Sequence, residues 1–348
     1  MKKVCAIGHF GVGKTLLNGQ TIKTKIFTDQ LASVYGEEEV MRVDTHGGIK
    51  AIPLVILNTL VGVINCKNIV IFPSDNGLKV LVPLLDLFNR FFHRKLHYIV
   101  IGGYLQDYLK EHSVIEKLLK KYCGIYVEAE PMKVALEGSG FRNVSVVPNC
   151  KEIPIIQEDQ LYTEKCETFR FCTFSRVMKS KGVEDAIDAI EAINNSCGRS
   201  ICQLTIYGQV DNEEIDWFEK LKARISHIEG IVYGGLVPFD KSVDVLKDYY
   251  GLLFPTYYEG EGFAGTLSDA FAAGVPVIAT DWHYNSSIVE NNYTGLVYST
   301  EEKDKLKEKI EYAINNQEDW IKMRFNCIAK ARELSPTNVI KAVISKLD

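Results

Sequence analysis

A chain of 348 residues is too long for one ordinary hydrophobic core and fits two α/β domains. Apolar residues make up 46% and charged residues 24%, which excludes a largely disordered chain. The net charge of −5 argues against free nucleic acid as a partner, although residues 1–150 carry 18 Lys and Arg against 13 acids, or +5, and the remainder 22 against 32, or −10.

The start, Met1-Lys2-Lys3, is followed by only four apolar residues before Gly8-His9, too few for a signal peptide. Val4–Ile7 reads as a strand and Thr21–Tyr35 has helical spacing. The apolar stretch from Ile52 is broken by Pro53, Asn58, Asn65, Lys67 and Asn68, so it reads as a helix followed by a strand reaching Phe72 rather than as a membrane span. Leu78–Phe92 reads as a helix, His97–Ile101 as a strand ended by Gly102-Gly103, and Gly124–Val127 and Val144–Val147 as short strands around a helix at Pro131–Leu136. Pro148–Thr168 lacks periodicity and reads as a linker.

A second series follows: strand Phe169–Phe174, helix Val183–Ile193, strand Cys202–Tyr207, helix Ile215–Ile225, strand Ile231–Tyr233, helix Val243–Tyr250 and strand Leu252–Phe254. A helix near Thr266–Ala273, the strand Pro276–Thr280 and helices at Leu306–Asn315 and Trp320–Glu333 complete it. The alternation implies an α/β fold of two doubly wound, parallel-sheet domains facing a central cleft. The expected division is residues 1–152 and 153–330, with a C-terminal helix at about 330–348 packing back on the first domain. Nine cysteines without a Cys-x-x-Cys pair fit reduced thiols in a cytoplasmic protein and no metal site.

The segment Phe254 to Thr280 carries the most chemistry. It reads as strand, glycine-rich loop, helix, tight turn and strand. The helix start would point the N–H groups of Gly265, Thr266 and Leu267 at the loop, an arrangement that favours phosphate. Glu261 lies in the loop, and Asp269, eight residues on, is expected in the first helical turn. An acid capping a helix start would be the plain structural alternative. Upstream, Phe174-Ser-Arg-Val-Met-Lys-Ser-Lys-Gly182 follows a strand and holds Arg176 and Lys181.

Together these stretches resemble the signatures of the retaining glycosyltransferases of family 4, which have the GT-B fold. The resemblance implies that Glu261 contacts the donor sugar, that Asp269 meets the ribose, and that Arg176 and Lys181 hold the departing diphosphate, with no metal and no cofactor. Asp269 stands where the family usually has Glu, Ala264 and Ser175 where it has Gly. The turns at Gly208 and Gly235 resemble family turns beside the nucleotide, and Gly19 the first-domain loop that approaches the donor. The turn Ile101-Gly-Gly-Tyr104 lacks the His that many members carry, and His9 is too remote in pattern to replace it. The implied partners are a nucleotide-sugar and a glycan or lipid-linked acceptor of surface polysaccharide or glycoconjugate synthesis.

Two other readings compete. Gly8-His-Phe-Gly-Val-Gly-Lys14-Thr15 satisfies the phosphate-loop pattern of nucleoside triphosphatases, but Asn18-Gly19 is turn chemistry where a helix should run, and no clearly apolar strand ending in an acid follows to hold magnesium, Asp75 after Phe72-Pro73 being the nearest candidate. A catalytically silent sugar-binding subunit is the other; the intact acids and cations argue against it. Finally, Leu84–Lys95 joins apolar residues to a basic end, which suits either a core helix ending in cations or peripheral contact with the inner membrane face.

Overall fold

A computed structural model of the chain describes residues 1–13, 19–301 and 305–348. These form two compact units, Met1–Glu152 with Leu334–Asp348, and Ile153–Glu333.

The first unit holds six strands, β1 (Lys2–Gly8), β2 (Val40–Asp44), β3 (Cys66–Ile71), β4 (Lys95–Ile99), β5 (Gly124–Val127) and β6 (Val144–Val146). They lie in the order β2-β1-β3-β4-β5-β6, all parallel. Val4, Cys5, Ala6 and Ile7 have no solvent exposure, because helices cover both faces of a parallel sheet and leave its strands continuously apolar. The last fifteen residues belong to this unit: Val339, Ile340, Val343 and Leu347 join the core of Val4, Phe27 and Val70.

The edge strand β2 is absent from the sequence reading. Three acids, Glu37–Glu39, precede it, and its exposed Arg42 interrupts the apolar run. The helix Gly19–Tyr35 already includes Gly19 and Gln20, ahead of the expected Thr21. Lys14 and Thr15 of the phosphate-loop pattern lie outside the described residues; the preceding turn wraps the Asp44 carboxylate instead. That carboxylate accepts the N–H groups of Phe10, Val12 and His46 at 2.9 Å each and Gly11 at 3.3 Å. Burial alone would raise its pKa, but these four bonds favour the charged form and hold it below the ordinary range.

The second unit holds β7 (Phe169–Phe174), β8 (Cys202–Tyr207), β9 (Ile231–Gly235), β10 (Gly251–Phe254), β11 (Val277–Thr280) and β12 (Gly295–Tyr298). Their order is β12-β11-β10-β7-β8-β9, again all parallel. The chain fills one side of β7 with β8 and β9, then crosses to place β10, β11 and β12 on the other. The strand order therefore reverses between β7 and β10. Loops leaving the carboxyl ends of these two strands diverge there, which is where open α/β sheets bind ligands. The expected helix Val243–Tyr250 is shorter, Ser242–Leu246, because Tyr250 turns its N–H to the carbonyl of Arg170. The edge strand β12 was not foreseen either; it follows a polar Asn-Asn-Tyr-Thr turn.

Candidate active site

Two glycines set the geometry at the reversal point. Gly208, just after β8, has φ +140°, and a Cβ there would lie 1.7 Å from the Ser175 carbonyl oxygen. Its N–H donates to the Gly235 carbonyl at 2.9 Å, so the ends of β7, β8 and β9 are drawn together. Gly182 has φ +68°, and a Cβ there would meet the Pro255 carbonyl at 2.1 Å. This close approach seats the turn holding Lys181 against the end of β10.

The consequence is a buried ion pair. Lys181 Nζ lies 2.5 Å from Glu261 Oε2, with side chains 8% and 7% exposed. The same oxygen accepts the Thr256 hydroxyl at 2.8 Å, and the Glu261 N–H donates to the Tyr258 carbonyl at 3.0 Å. Lys181 Nζ sits 4.9 Å from the Tyr258 ring centre, and the Arg176 guanidinium 5.5 Å from the same ring. Arg176 is half-exposed and pairs with Asp211 at 3.2 Å. Burial lowers the Lys181 pKa; the like charge of Arg176 adds to that, and Glu261 opposes it. Two cations thus stand over one aromatic ring, one locked on a carboxylate and one reaching solvent.

The helix after the loop spans Gly265–Ala272. Two details differ from expectation. Asp269 is the fifth residue of this helix, one turn further in, and it is buried. Leu267 does not offer its N–H to the loop, since that group donates to the Ala264 carbonyl at 3.0 Å. Gly265 and Thr266 keep N–H groups without a backbone acceptor among the described residues, and the Thr266 hydroxyl is buried without a partner. A polar group left in that state suits a ligand atom.

The second unit therefore brings Arg176, Lys181 and Glu261 together, with Gly208 and Gly235 at the neighbouring strand ends. Gly19 belongs to the other unit, as the first residue of its helix. Sequence reasoning missed Thr256, Tyr258 and Asp211, whose only signal was their place within four residues of a site strand end. In the first unit it missed the pairing of His9 with His46, Nε2 to Nδ1 at 2.9 Å, and with Thr21 at 2.7 Å. A cavity of about 530 Å³ behind Pro255 and Tyr257 is lined by Asp185 and Asp188. Lys305 and Lys307 line it as well, so two cations face the two acids. No group of three or more potential metal ligands occurs among the described residues.

Two doubly wound units, with paired cations and a buried acid at the switch point of the second, have the architecture of the GT-B fold. The chain belongs to the family described as glycosyl transferases group 1, whose model matches residues 158–334, just over half of the sequence. An uncharacterized glycosyltransferase of Methanocaldococcus jannaschii is 25% identical over 211 residues, 53% of this chain and 52% of the relative. The chain thus matches about half of that relative's length. HepE of Anabaena, solved with UDP, superposes with a TM-score of 0.75 at 14% identity, covering 100% of this chain and 99% of its own. The lipopolysaccharide outer core galactosyltransferase WaaB gives 0.73 at 14% identity, with the same coverage. At such identity these two show the fold.

Proposed function

We propose that the chain transfers a hexosyl group from a nucleotide-sugar to a glycan or glycolipid hydroxyl with retention of anomeric configuration. The observation that carries the reading is the Arg176–Tyr258–Lys181–Glu261 cluster at the switch point. Departure of a nucleoside diphosphate builds negative charge on the β-phosphate. Two fixed cations stabilise that charge more in the transition state than in the ground state, and so accelerate the step. Lys181 has its charge pre-oriented by Glu261, while Arg176 can exchange Asp211 for phosphate. The N–H groups of Gly265 and Thr266 add dipoles at the helix start. Glu261 keeps a second carboxylate oxygen for a sugar hydroxyl, and Asp269 meets the ribose. The turns at Gly208 and Tyr233–Gly235 hold the nucleotide, with Gly19 of the first unit approaching the donor.

On this reading the cations do the charge neutralisation that a divalent metal performs in other transferases, so activity is expected to survive a chelator. The pathway we infer is cytoplasmic synthesis of a surface polysaccharide or related glycoconjugate. HepE has been solved with UDP-glucose as well as UDP, which makes UDP-sugars the first donors to test. The experiment is a panel of nucleotide-sugars incubated with the protein and a chelator, followed by release of nucleoside diphosphate and by the anomeric configuration of the product. Release from none of them, or an inverted product, would sink the corresponding part of the reading.

A further inference from the structure

The second unit holds a cavity at the end of its sheet away from the candidate active site. Arg170 is the second residue of β7 and Tyr250 directly precedes β10, so the cavity opens at the amino ends of these strands. Its volume of about 500 Å³ lies in the range of small-molecule sites.

Arg324, from the helix Gln317–Glu333, lines it and is only 2% exposed. The guanidinium donates to the carbonyls of Tyr249 at 2.6 Å, Tyr250 at 3.3 Å and Gly274 at 3.3 Å. A guanidinium carries more N–H groups than these bonds use. Burial lowers its pKa, and the groups that oppose this are thiols and phenols rather than acids. A buried cation met only by neutral dipoles is costly to keep. Clamping three carbonyls accounts for the position of Arg324, but not for the cations beside it. Arg170 and Lys247 line the same cavity, both exposed, against one acid, Asp248. The Arg170 guanidinium lies 5.0 Å from the centre of the Tyr249 ring. Neither it nor Lys247 has an ion-pair partner among the described residues. Three cations against one acid concentrate a positive field in a concave space.

We propose that this cavity is a second binding site, which takes the phosphate group of a small phosphate monoester between Arg324 inside and Arg170 and Lys247 at its mouth. Charge selects the ligand. A phosphate dianion balances the surplus of cations, whereas a single carboxylate would leave one of them unanswered. The planar fork of Arg324 matches phosphate oxygens. The volume leaves room beyond the phosphate for an organic group beside Tyr162, which also lines the cavity.

The test is calorimetry of the full chain with inorganic phosphate, phenyl phosphate and acetate. Phosphate should bind, phenyl phosphate more tightly still, and acetate at least about tenfold more weakly than phosphate. Arg170→Gln with Lys247→Gln should weaken phosphate binding at least about tenfold, and Asp248→Asn should strengthen it. All three side chains are exposed, so the fold should survive, and phosphate should raise the unfolding temperature of the parent more than that of the double variant. Arg176→Ala serves as the control for phosphate held at the candidate active site: binding should persist in it. Absent phosphate binding, binding indifferent to the Arg170 and Lys247 changes, or binding lost in Arg176→Ala alone overturns the proposal. Phenyl phosphate no tighter than phosphate overturns the monoester as its ligand.

Discussion

Lys181→Met and Glu261→Gln form a double-mutant cycle that separates what the buried pair does for the fold from what it does for the reaction. Both side chains are more than nine-tenths buried and only 2.5 Å apart. Removing one partner leaves the other charge uncompensated in a low-dielectric site, a loss of about 3–5 kcal/mol in stability. Removing both leaves no orphaned charge, so the double variant should lie within about 2 kcal/mol of the parent, giving a coupling energy of at least about 4 kcal/mol. The magnitude stands near the upper end because Glu261 keeps only the Thr256 hydroxyl once the lysine is gone. Urea unfolding of the four proteins measures this. Transfer should behave differently: each single variant and the double should lose at least about a hundredfold, because the charge that meets the developing phosphate anion, or the group that orients the sugar, is missing in all three. Stability restored without activity is the expected signature. Additive stability losses would refute the argument about the pair, and full activity in the double variant would refute the catalytic assignment.

Other outcomes follow from the same geometry. Because burial lowers the Lys181 pKa, the protonated site titrates below the ordinary lysine value of 10.5, and the transfer rate should fall on an alkaline limb below that pH; in Lys181→Arg the limb should move to higher pH or vanish. The linked stability has the opposite sense. Between the lowered folded value and 10.5 the native state binds fewer protons than the unfolded chain, so stability rises with pH there. Gly208→Ala places a methyl 1.7 Å from the Ser175 carbonyl in a backbone region closed to alanine, and should cost about 2 kcal/mol or more by chemical unfolding and displace Arg176. Arg176→Ala touches an exposed pair and should change stability by less than about 1 kcal/mol while lowering kcat/KM for transfer at least about tenfold; an unchanged kcat/KM would remove Arg176 from the site. Lys14→Ala should leave no triphosphatase to lose: calorimetry with ATP or GTP and magnesium is expected to show no binding that depends on it, and lysine-dependent binding with turnover would restore the phosphate-loop reading.

Much of the fold was legible because its strands are buried on both sides. Phe169–Phe174 and Cys202–Tyr207 read as strands with the bounds the structure gives them, although Arg170 and Gln203 interrupt their apolar residues. The edge strands β2 and β12 were not legible: Arg42 breaks the apolar run of β2 behind three acids, and β12 is only four residues, Gly295–Tyr298, after a polar turn. The acids and cations of the site were found through motif spacing. What they bind now was not. The Lys181–Glu261 contact joins residues eighty apart and depends on Gly182 lying against Pro255, a tertiary approach that no local pattern encodes. Tyr258 escaped for the same reason: its ring matters because two cations from another strand end settle on it. The Leu267 amide was misjudged because the first helical turn closes on Ala264, a choice made by local geometry rather than by residue type.

The central claim is that Arg176, Lys181 and Glu261 expel a nucleoside diphosphate from a bound nucleotide-sugar. The most direct measurement is diphosphate release from a panel of nucleotide-sugars, UDP-sugars first, by the parent protein and by the Lys181→Met, Glu261→Gln double variant at matched folded concentration. The account predicts release from at least one donor by the parent and at least about a hundredfold less by the double variant. Equal release by the two proteins would contradict it.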